Sequence, residues 1–466
     1  MRDCAGEPIR RPILVVAYYF PPFHSAGVSI RIVKFLKYLP GLGWRPLVLT
    51  VDDRREYEHL RRGGSAELLE DLPPQVAIHR TGSGEVSAAL LERGRAMRKR
   101  GGPARAAIDA LRRLRNLATR WLLIPDEQLP WLPSAVRAGW RVIRRERPAA
   151  ILVTCPPHSA ALAGIILKRL TRIPLVLDFR DDWVDTPWFR ARPRPVRLIN
   201  RWLERRAVGA ADRVVLVTPA SLEAFVRRYP RLSRDRFACI PNGVDLADFD
   251  GAGGAAESPP ARPLLDAEDG CFTIVHAGLL TVAADWRRSP YGFFRALARI
   301  RDADPRVYRC LRVVFTGALP REYREQAAGC GVGDIVQEAG YVPRPAFVAL
   351  LRRADLLLAI NYEGFETLVP GKLYEYWAAG SAPILLLSVP GAAQALVDGH
   401  GLGRTLAPDN SEGIADAVVA WCRQAQSGQP ACISRDGLEA FDRARLAAHL
   451  AGILDEVAPA RPPRAE

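Results

Sequence analysis

Short apolar runs alternate with amphipathic stretches along almost the whole chain. Ile13–Tyr19 is apolar or aromatic at every position, which predicts a strand buried on both faces. A helix is expected over Val28–Leu39 and a second strand over Arg45–Val51. The same alternation continues with strands at Ala149–Thr154, Pro174–Asp178, Arg213–Val217 and Arg236–Ile240, and helices at Arg197–Ala210 and from Pro219. In the second half, strands are expected at Cys271–Ala277, Leu311–Thr316, Ile335–Tyr341, Asp355–Ile360 and Pro383–Leu387. Helices are expected at Tyr291–Arg301, Pro320–Cys330, from Arg344, near Ala392–Val397, over Ser411–Ser427 and, as one piece, over Gly437–Val457. Strand–helix alternation of this kind predicts parallel sheets wound with helices.

Residues 250–270, rich in Gly, Ala, Pro and acids, read as a linker. The expected division is a first domain over 1–249, the linker, a second domain over 271–435, a C-terminal helix over 436–457 and a tail over 458–466. Length agrees, since 466 residues allow two or three domains with real cores. Hydrophobic content of 48% and charged content of 25% are globular values.

Charge adds to this. A formal net charge of +15 favours acidic partners: nucleotide diphosphates, anionic lipid head groups or nucleic acid. A genome that writes arginine for lysine explains the excess equally well. Residues 85–124 concentrate it, with Arg112, Arg113 and Arg115 beside an apolar stripe of Leu111, Leu114, Leu117, Trp121 and Leu122. A basic amphipathic helix of this kind either docks on an anionic membrane surface or packs on its domain with a solvated arginine face. The eight cysteines form no C-x-x-C pair and none stands near histidine at zinc spacing, so free thiols in a reducing cytosol are expected. Ile13–Phe20 is too short for a secretory leader, lacks a small-residue cleavage site and runs into Pro21-Pro22. No apolar run approaches the roughly 20 residues that span a membrane.

The richest chemistry lies in Tyr362–Gly380, Tyr-Glu-Gly-Phe-Glu-Thr-Leu-Val-Pro-Gly-Lys-Leu-Tyr-Glu-Tyr-Trp-Ala-Ala-Gly. Leu356–Ile360 precedes it as a buried strand, Pro370 opens a helix and Gly380 ends it. Lys372 and Glu375 stand three residues apart and share a helix face. A helix start after a Gly/Pro loop offers free N–H groups and a positive dipole end to an anion. Lys372 adds a cation and Glu375, one turn in, can accept from two sugar hydroxyls. An ordinary βα unit with a surface Lys–Glu pair reads almost the same.

This stretch resembles the donor-binding segment of glycosyltransferase family 4, in its Pro-Gly-Lys-Leu-Tyr-Glu-Tyr form. Three other segments resemble the family in the right order. They are Tyr-Tyr-Phe-Pro-Pro through Ser-Ala-Gly27 to Ile30-Arg31 and Lys34-Phe35, then Thr-Cys-Pro-Pro-His158 with Asp178-Phe-Arg-Asp181 and Trp183, and Pro241-Asn-Gly-Val-Asp-Leu. The resemblance covers nearly the whole chain. It implies an α/β protein of GT-B fold, two Rossmann-like domains facing a central cleft, the first on the acceptor side, the second binding a nucleotide sugar. The last helix is expected to cross back to the first domain.

From the same resemblance, Glu375 holds the ribose hydroxyls. Arg288 (with Arg287 second) and Lys372 neutralise the diphosphate, and Gly278 and Gly371 allow close backbone approach. In many members a glutamate eight residues before the ribose glutamate binds the donor sugar; Thr367 occupies that position here, with Glu363 and Glu366 in another register. His158 is expected near the reacting carbon and Gly27 near donor or acceptor. Arg31 is an anion contact or a solvated helix residue. Arg180 and Asp181 pair with each other or line the acceptor cleft. Asp181, Asp182 and Asp185 have no accompanying oxygen cluster, and the family needs no metal, so no metal or other cofactor is expected beyond the nucleotide-diphosphate sugar as co-substrate, with UDP or GDP as the nucleotide.

The implied activity is retaining transfer from that donor to a saccharide or lipid-linked acceptor, with a cell-envelope or exopolysaccharide role. No nucleic-acid partner is expected. The place implied is the cytoplasm, at the inner face of the plasma membrane if the basic helix docks. A sugar-nucleotide epimerase of the same fold, or a non-catalytic basic protein that binds membranes or polyanions, are the alternatives.

Overall fold

The computed structural model describes residues 11–22, 26–52, 66–83, 121–250, 271–278, 280, 282, 289–340, 342–361 and 364–458. It divides into two compact units, Met1–Ile240 with Ala447–Glu466, and Pro241–Leu446.

Seven strands build the first unit: β1 (Arg11–Val16), β2 (Trp44–Asp52), β3 (Ala77–Gly82), β4 (Ala150–Cys155), β5 (Leu175–Phe179), β6 (Arg213–Leu216) and β7 (Phe237–Cys239). All pair in parallel, in the order β3-β2-β1-β4-β5-β6-β7. Helices α1 (Ala26–Tyr38), α2 (Leu132–Glu146), α3 (Ser159–Thr171), α4 (Arg194–Ala210) and α5 (Pro219–Arg228) connect them. The central strands β4 and β5 are wholly buried, as strands covered by helices on both faces must be, which is why they read as unbroken apolar runs. Edge strand β3, Ala-Ile-His-Arg-Thr-Gly, is half-exposed and carries no such signature. Chain order reverses between β1 and β4, where an open α/β sheet leaves a crevice beyond its strand ends.

The second unit repeats the winding with β8 (Phe272–His276), β9 (Leu311–Thr316), β10 (Val336–Gly340), β11 (Leu356–Ile360), β12 (Ile384–Leu387) and β13 (Gly403–Leu406). Their order is β10-β9-β8-β11-β12-β13, again all parallel, so the corresponding crevice lies between β8 and β11. Its helices are α6 (Tyr291–Ala303), α7 (Arg321–Gly329), α8 (Arg344–Arg353), α9 (Gly371–Ala379), α10 (Ala392–Gly399) and α11 (Ser411–Gln426). Two clusters fill this unit, one around Trp377 and Leu351, the other around Phe293, Phe294 and Phe315. A fully buried large apolar side chain contributes about 1.5–3 kcal/mol. An exposed ion pair contributes about 0–1 kcal/mol, so these cores, not the arginine-rich surface, hold each unit.

Two expectations need correction. The final helix is not one piece: a 3-10 turn, Leu438–Phe441, is followed by extended Asp442 and then by α12 (Arg443–Val457). Phe441 sits at the break. Its ring packs on Tyr374 and Trp377, and its carbonyl accepts the Val244 N–H at 3.0 Å. The stretch 241–249, assigned to the first domain from sequence, instead buries Val244 and Phe249 in the second unit's core. Residues of α12 from Ala447 on belong to the first unit, where Asp455 pairs with Arg11 and Glu456 with Arg213, both at 3.0 Å. The described cysteines are free thiols. No described helix is long and apolar enough to cross a membrane.

Candidate functional site

In the second unit the crevice is built by β8, β11 and the start of α9. Gly278 follows β8 with φ +95, a conformation that favours glycine, and its N–H donates to Thr316 Oγ1 at 3.0 Å. The preceding Ala277 N–H donates to Tyr376 Oη at 2.7 Å, and that hydroxyl donates to the Leu358 carbonyl of β11 at 3.0 Å. Tyr376 thus ties α9 to both strands of the switch point. A Cβ on Gly278 would stand 3.5 Å from Lys372 Nζ, so the ammonium lies directly over this exposed glycine. Pro370 precedes α9, and nothing lies within 4 Å of a Cβ on Gly371, leaving the helix start open.

One turn along, Glu375 Oε1 accepts from Arg344 Nη1 at 2.5 Å. Arg344 Nη2 donates to Asp248 Oδ2 at 3.2 Å, and the guanidinium lies over the rings of Phe249 and Phe347. Glu375 Oε2 accepts no hydrogen bond from the described residues. The carboxylate is thereby fixed by one oxygen and available by the other. Thr367 is half-buried in the loop before α9, while exposed Glu366 turns its carboxylate to the Gly364 N–H at 3.2 Å.

The first unit's crevice has another character. A cavity of about 120 Å³ is lined by Tyr19 after β1, Pro156, Pro157 and His158 after β4, and Trp183 after β5. Trp188, Arg192 and Asp126 also border it. His158 is buried and stacks on Trp183, ring centroids 4.5 Å apart and planes 6° from parallel. Trp183 is held in turn by Asn200 of α4, its indole N–H donating at 2.9 Å. Burial first, then the charges of Arg180 and Arg192, lower the His158 pKa to about 3, so the imidazole is neutral near pH 7. Asp126 Oδ2 accepts the Ser159 N–H at 2.9 Å, fixing the α3 start beside His158, and burial raises its own pKa. His158 Nδ1 and Asp126 Oδ1 are buried without a hydrogen-bond partner.

Arg31 is not a solvated helix residue. It is buried, donates to Asp178 through Nη2 at 2.9 Å and Nε at 3.2 Å, and Nη2 also reaches the Ile240 carbonyl at 2.9 Å. Asp178 takes a further bond from Thr154 Oγ1 at 2.9 Å. Those bonds bind α1 to β4 and β5, so the group is committed to the core. Arg180 donates to the Pro156 carbonyl at 2.5 Å and the Cys155 carbonyl at 3.4 Å, steadying the loop that carries His158. Asp181 is half-buried, and burial raises its pKa against the lowering effect of Arg180. Gly27 is exposed at the start of α1, with open space where a Cβ would stand. Arg287, Arg288, Glu363, and most of the basic stretch and linker lie outside the described residues. Among the described residues no group of three or more His, Cys, Asp or Glu side chains could hold a metal ion.

Residues 25–248 match the family model described as Glycosyltransferase Family 4. Over those residues, just under half of the chain, it is similar to this family. Curated relatives resemble it in parts: it is 28% identical over 204 residues to D-inositol 3-phosphate glycosyltransferase of Streptomyces bingchenggensis, covering 42% of each chain. With alpha-maltose-1-phosphate synthase of Mycolicibacterium smegmatis it shares 32% identity over 97 residues, 21% of this chain and 25% of the relative. The match thus spans well under two thirds of either relative's length. Solved structures agree on the fold over far more of the chain. The Anabaena HepE protein in complex with UDP and glucose aligns with TM-score 0.60 and 15% identity, covering 96% of this chain and 100% of that one. Sucrose-phosphate synthase from Thermosynechococcus elongatus aligns with TM-score 0.61 and 15% identity, covering 96% and 99%. These likenesses place the chain in the GT-B class of α/β proteins.

Around the two crevices, the fold brings in residues that no motif marks. Arg344 and Asp248 come from segments 31 and 127 positions away from Glu375, a proximity that only the fold creates. Asp126, which precedes α2 and accepts the N–H at the α3 start, follows no recognisable motif. Trp183 stood inside a motif, but its stacking on His158 has no one-dimensional signal.

Proposed function

We propose that the chain transfers a sugar from a nucleoside-diphosphate donor, with UDP or GDP as the nucleotide, to a saccharide or lipid-linked saccharide, with retention of anomeric configuration. The observation that carries this reading is the open start of α9, with Lys372 over Gly278 and Glu375 fixed one turn in by Arg344. Backbone N–H groups and the dipole of α9 face the diphosphate, with Lys372 as the mobile cation. Gly278 and Gly371 let backbone close on the phosphates. Arg288, with Arg287, adds charge from the loop after β8. Glu375 Oε2 accepts from the ribose hydroxyls, and Thr367 faces the donor sugar.

The reaction asks chiefly for leaving-group stabilisation. The bond between the anomeric carbon and the β-phosphate oxygen breaks, and its electron pair stays on the diphosphate. The acceptor hydroxyl oxygen bonds to that carbon on the same face, and its proton passes to the departing phosphate oxygen. His158, neutral and stacked, donates to or accepts from a sugar hydroxyl and is no general base. Asp181 and Gly27 lie on the acceptor side, and Arg180 holds the His158 loop. Relatives named for synthesis of maltose 1-phosphate and for glycosyl transfer to an inositol phosphate support a transferase. A place on the inner face of the plasma membrane and a role in envelope or exopolysaccharide synthesis complete the reading.

Thermal stabilisation by UDP and GDP tests it. One nucleotide is expected to raise the melting temperature, and Glu375→Ala to abolish the rise; no rise with any nucleotide would sink the proposal. A panel of UDP-, GDP- and TDP-sugars assayed for transfer or hydrolysis identifies the donor.

A further inference from the structure

We infer that the outward surface of α2, α3 and α4 in the first unit docks on an anionic lipid bilayer. The three helices pack side by side, α3 between the other two. α4 buries Val196, Asn200, Glu204, Ala207 and Val208 along one face. The opposite face is where an ordinary surface helix carries polar residues. Here it carries Leu198, Ile199 and Trp202, exposed by 64%, 44% and 54%. Exposed Arg194, Arg201, Arg205 and Arg206 surround them.

α2 repeats the device, with exposed Trp140 among Arg137, Arg141 and Arg144, and α3 ends on exposed Arg169 and Leu170. On both flanking helices a tryptophan lies under an arginine one turn later: Arg144 sits 4.7 Å from the Trp140 ring and Arg206 5.3 Å from the Trp202 ring. The acids of the three helices offset little of the charge: Glu146 is shared between Arg45 and Arg145, away from the arginines around Trp140, and Glu204 is buried.

An arginine field that outweighs its few acids, with protruding Leu, Ile and Trp, fits a bilayer of acidic lipids. Guanidinium groups meet the phosphates, indoles lie at headgroup level and aliphatic side chains enter the acyl boundary. A nucleic acid satisfies the charge but has no partner for Leu198 and Ile199. This inference rests on the membrane part of the proposed function and not on its chemistry. It moves the contact from the 85–124 stretch to surfaces that the sequence pattern did not single out.

The test is co-sedimentation of the full chain with vesicles of phosphatidylcholine, with and without about a third phosphatidylglycerol. Binding is expected only to the acidic vesicles. Each basic side chain near such a surface contributes about fivefold, so R201Q/R205Q/R206Q should weaken partitioning roughly a hundredfold. L198S/W202S should weaken it about tenfold or more. Loss confined to an R112Q/R113Q/R115Q variant, no loss in either α4 variant, or tighter binding to an oligothymidylate than to vesicles each overturns the inference. The nucleotide melting shift, followed in every variant, is expected to persist. Its absence in the wild type alongside intact vesicle binding would sink the transferase reading and leave the docking surface standing.

Discussion

The two units wind their strands alike yet furnish the switch point differently. Between β1 and β4 the crevice is largely aromatic, with a neutral imidazole stacked on an indole, while Arg180 donates to carbonyls of the loop that carries that imidazole and Arg192 borders the cavity. Between β8 and β11 it is ionic, with an open helix start, an ammonium over glycine and a carboxylate fixed on one side. The winding is shared, and the side chains that line the two crevices differ. Topology places a crevice, and a handful of side chains decide what enters it.

The comparison can be broken by substitution. The largest effect expected is on stability: Arg31→Ala strands Asp178 in the core and should cost about 3–5 kcal/mol, read from chemical denaturation. A loss below 1 kcal/mol, or a lost nucleotide shift in the folded protein, would return Arg31 to the ligand site. Lys372→Ala should lower turnover about a hundred- to a thousandfold and remove the nucleotide melting shift. His158→Ala should lower turnover about a hundredfold while leaving nucleotide binding intact. If His158→Ala also loses nucleotide, the division of labour between the crevices is wrong.

A smaller signal is linked to protons. His158 has an ordinary pKa of 6.5 when unfolded and about 3 in the folded chain. Between these values the unfolded state holds the extra proton, so stability rises with pH and falls as pH drops from 6.5 toward 3. The difference in stability between wild type and His158→Gln should therefore slope by one proton across that window. A parallel pair of curves would mean that the imidazole titrates normally.

Much of this molecule was legible beforehand because parallel strands buried on both faces announce themselves. Leu311–Thr316 matches to the residue, and Leu356–Ile360 and Ile384–Leu387 to within one. What escaped lacked that signature. β3 alternates weakly at a sheet edge, β13 contains Gly403, Arg404 and Thr405, and α2 is studded with arginine. At the candidate site, the places of Lys372 and Glu375 on one helix and of Gly278 after a strand were legible from local pattern, while their proposed roles came from the resemblance alone. Arg344, Asp248 and Asp126 were not, because long-range pairing leaves no periodicity. Arg31 misled because a charged helix residue is usually solvated, and only its carboxylate on β5 overrides that habit.

The guanidinium clasp on Glu375 has a bearing on selectivity. With one oxygen committed to Arg344 and the orientation steadied through Asp248, the remaining oxygen would, in the proposed pose, meet a pair of neighbouring hydroxyls as a rigid caliper. A deoxypentose offers it a single hydroxyl. In that pose ribonucleotides should be sorted from deoxyribonucleotides at this one side chain, and the deoxy form of whichever of UDP and GDP binds should lag its ribo form.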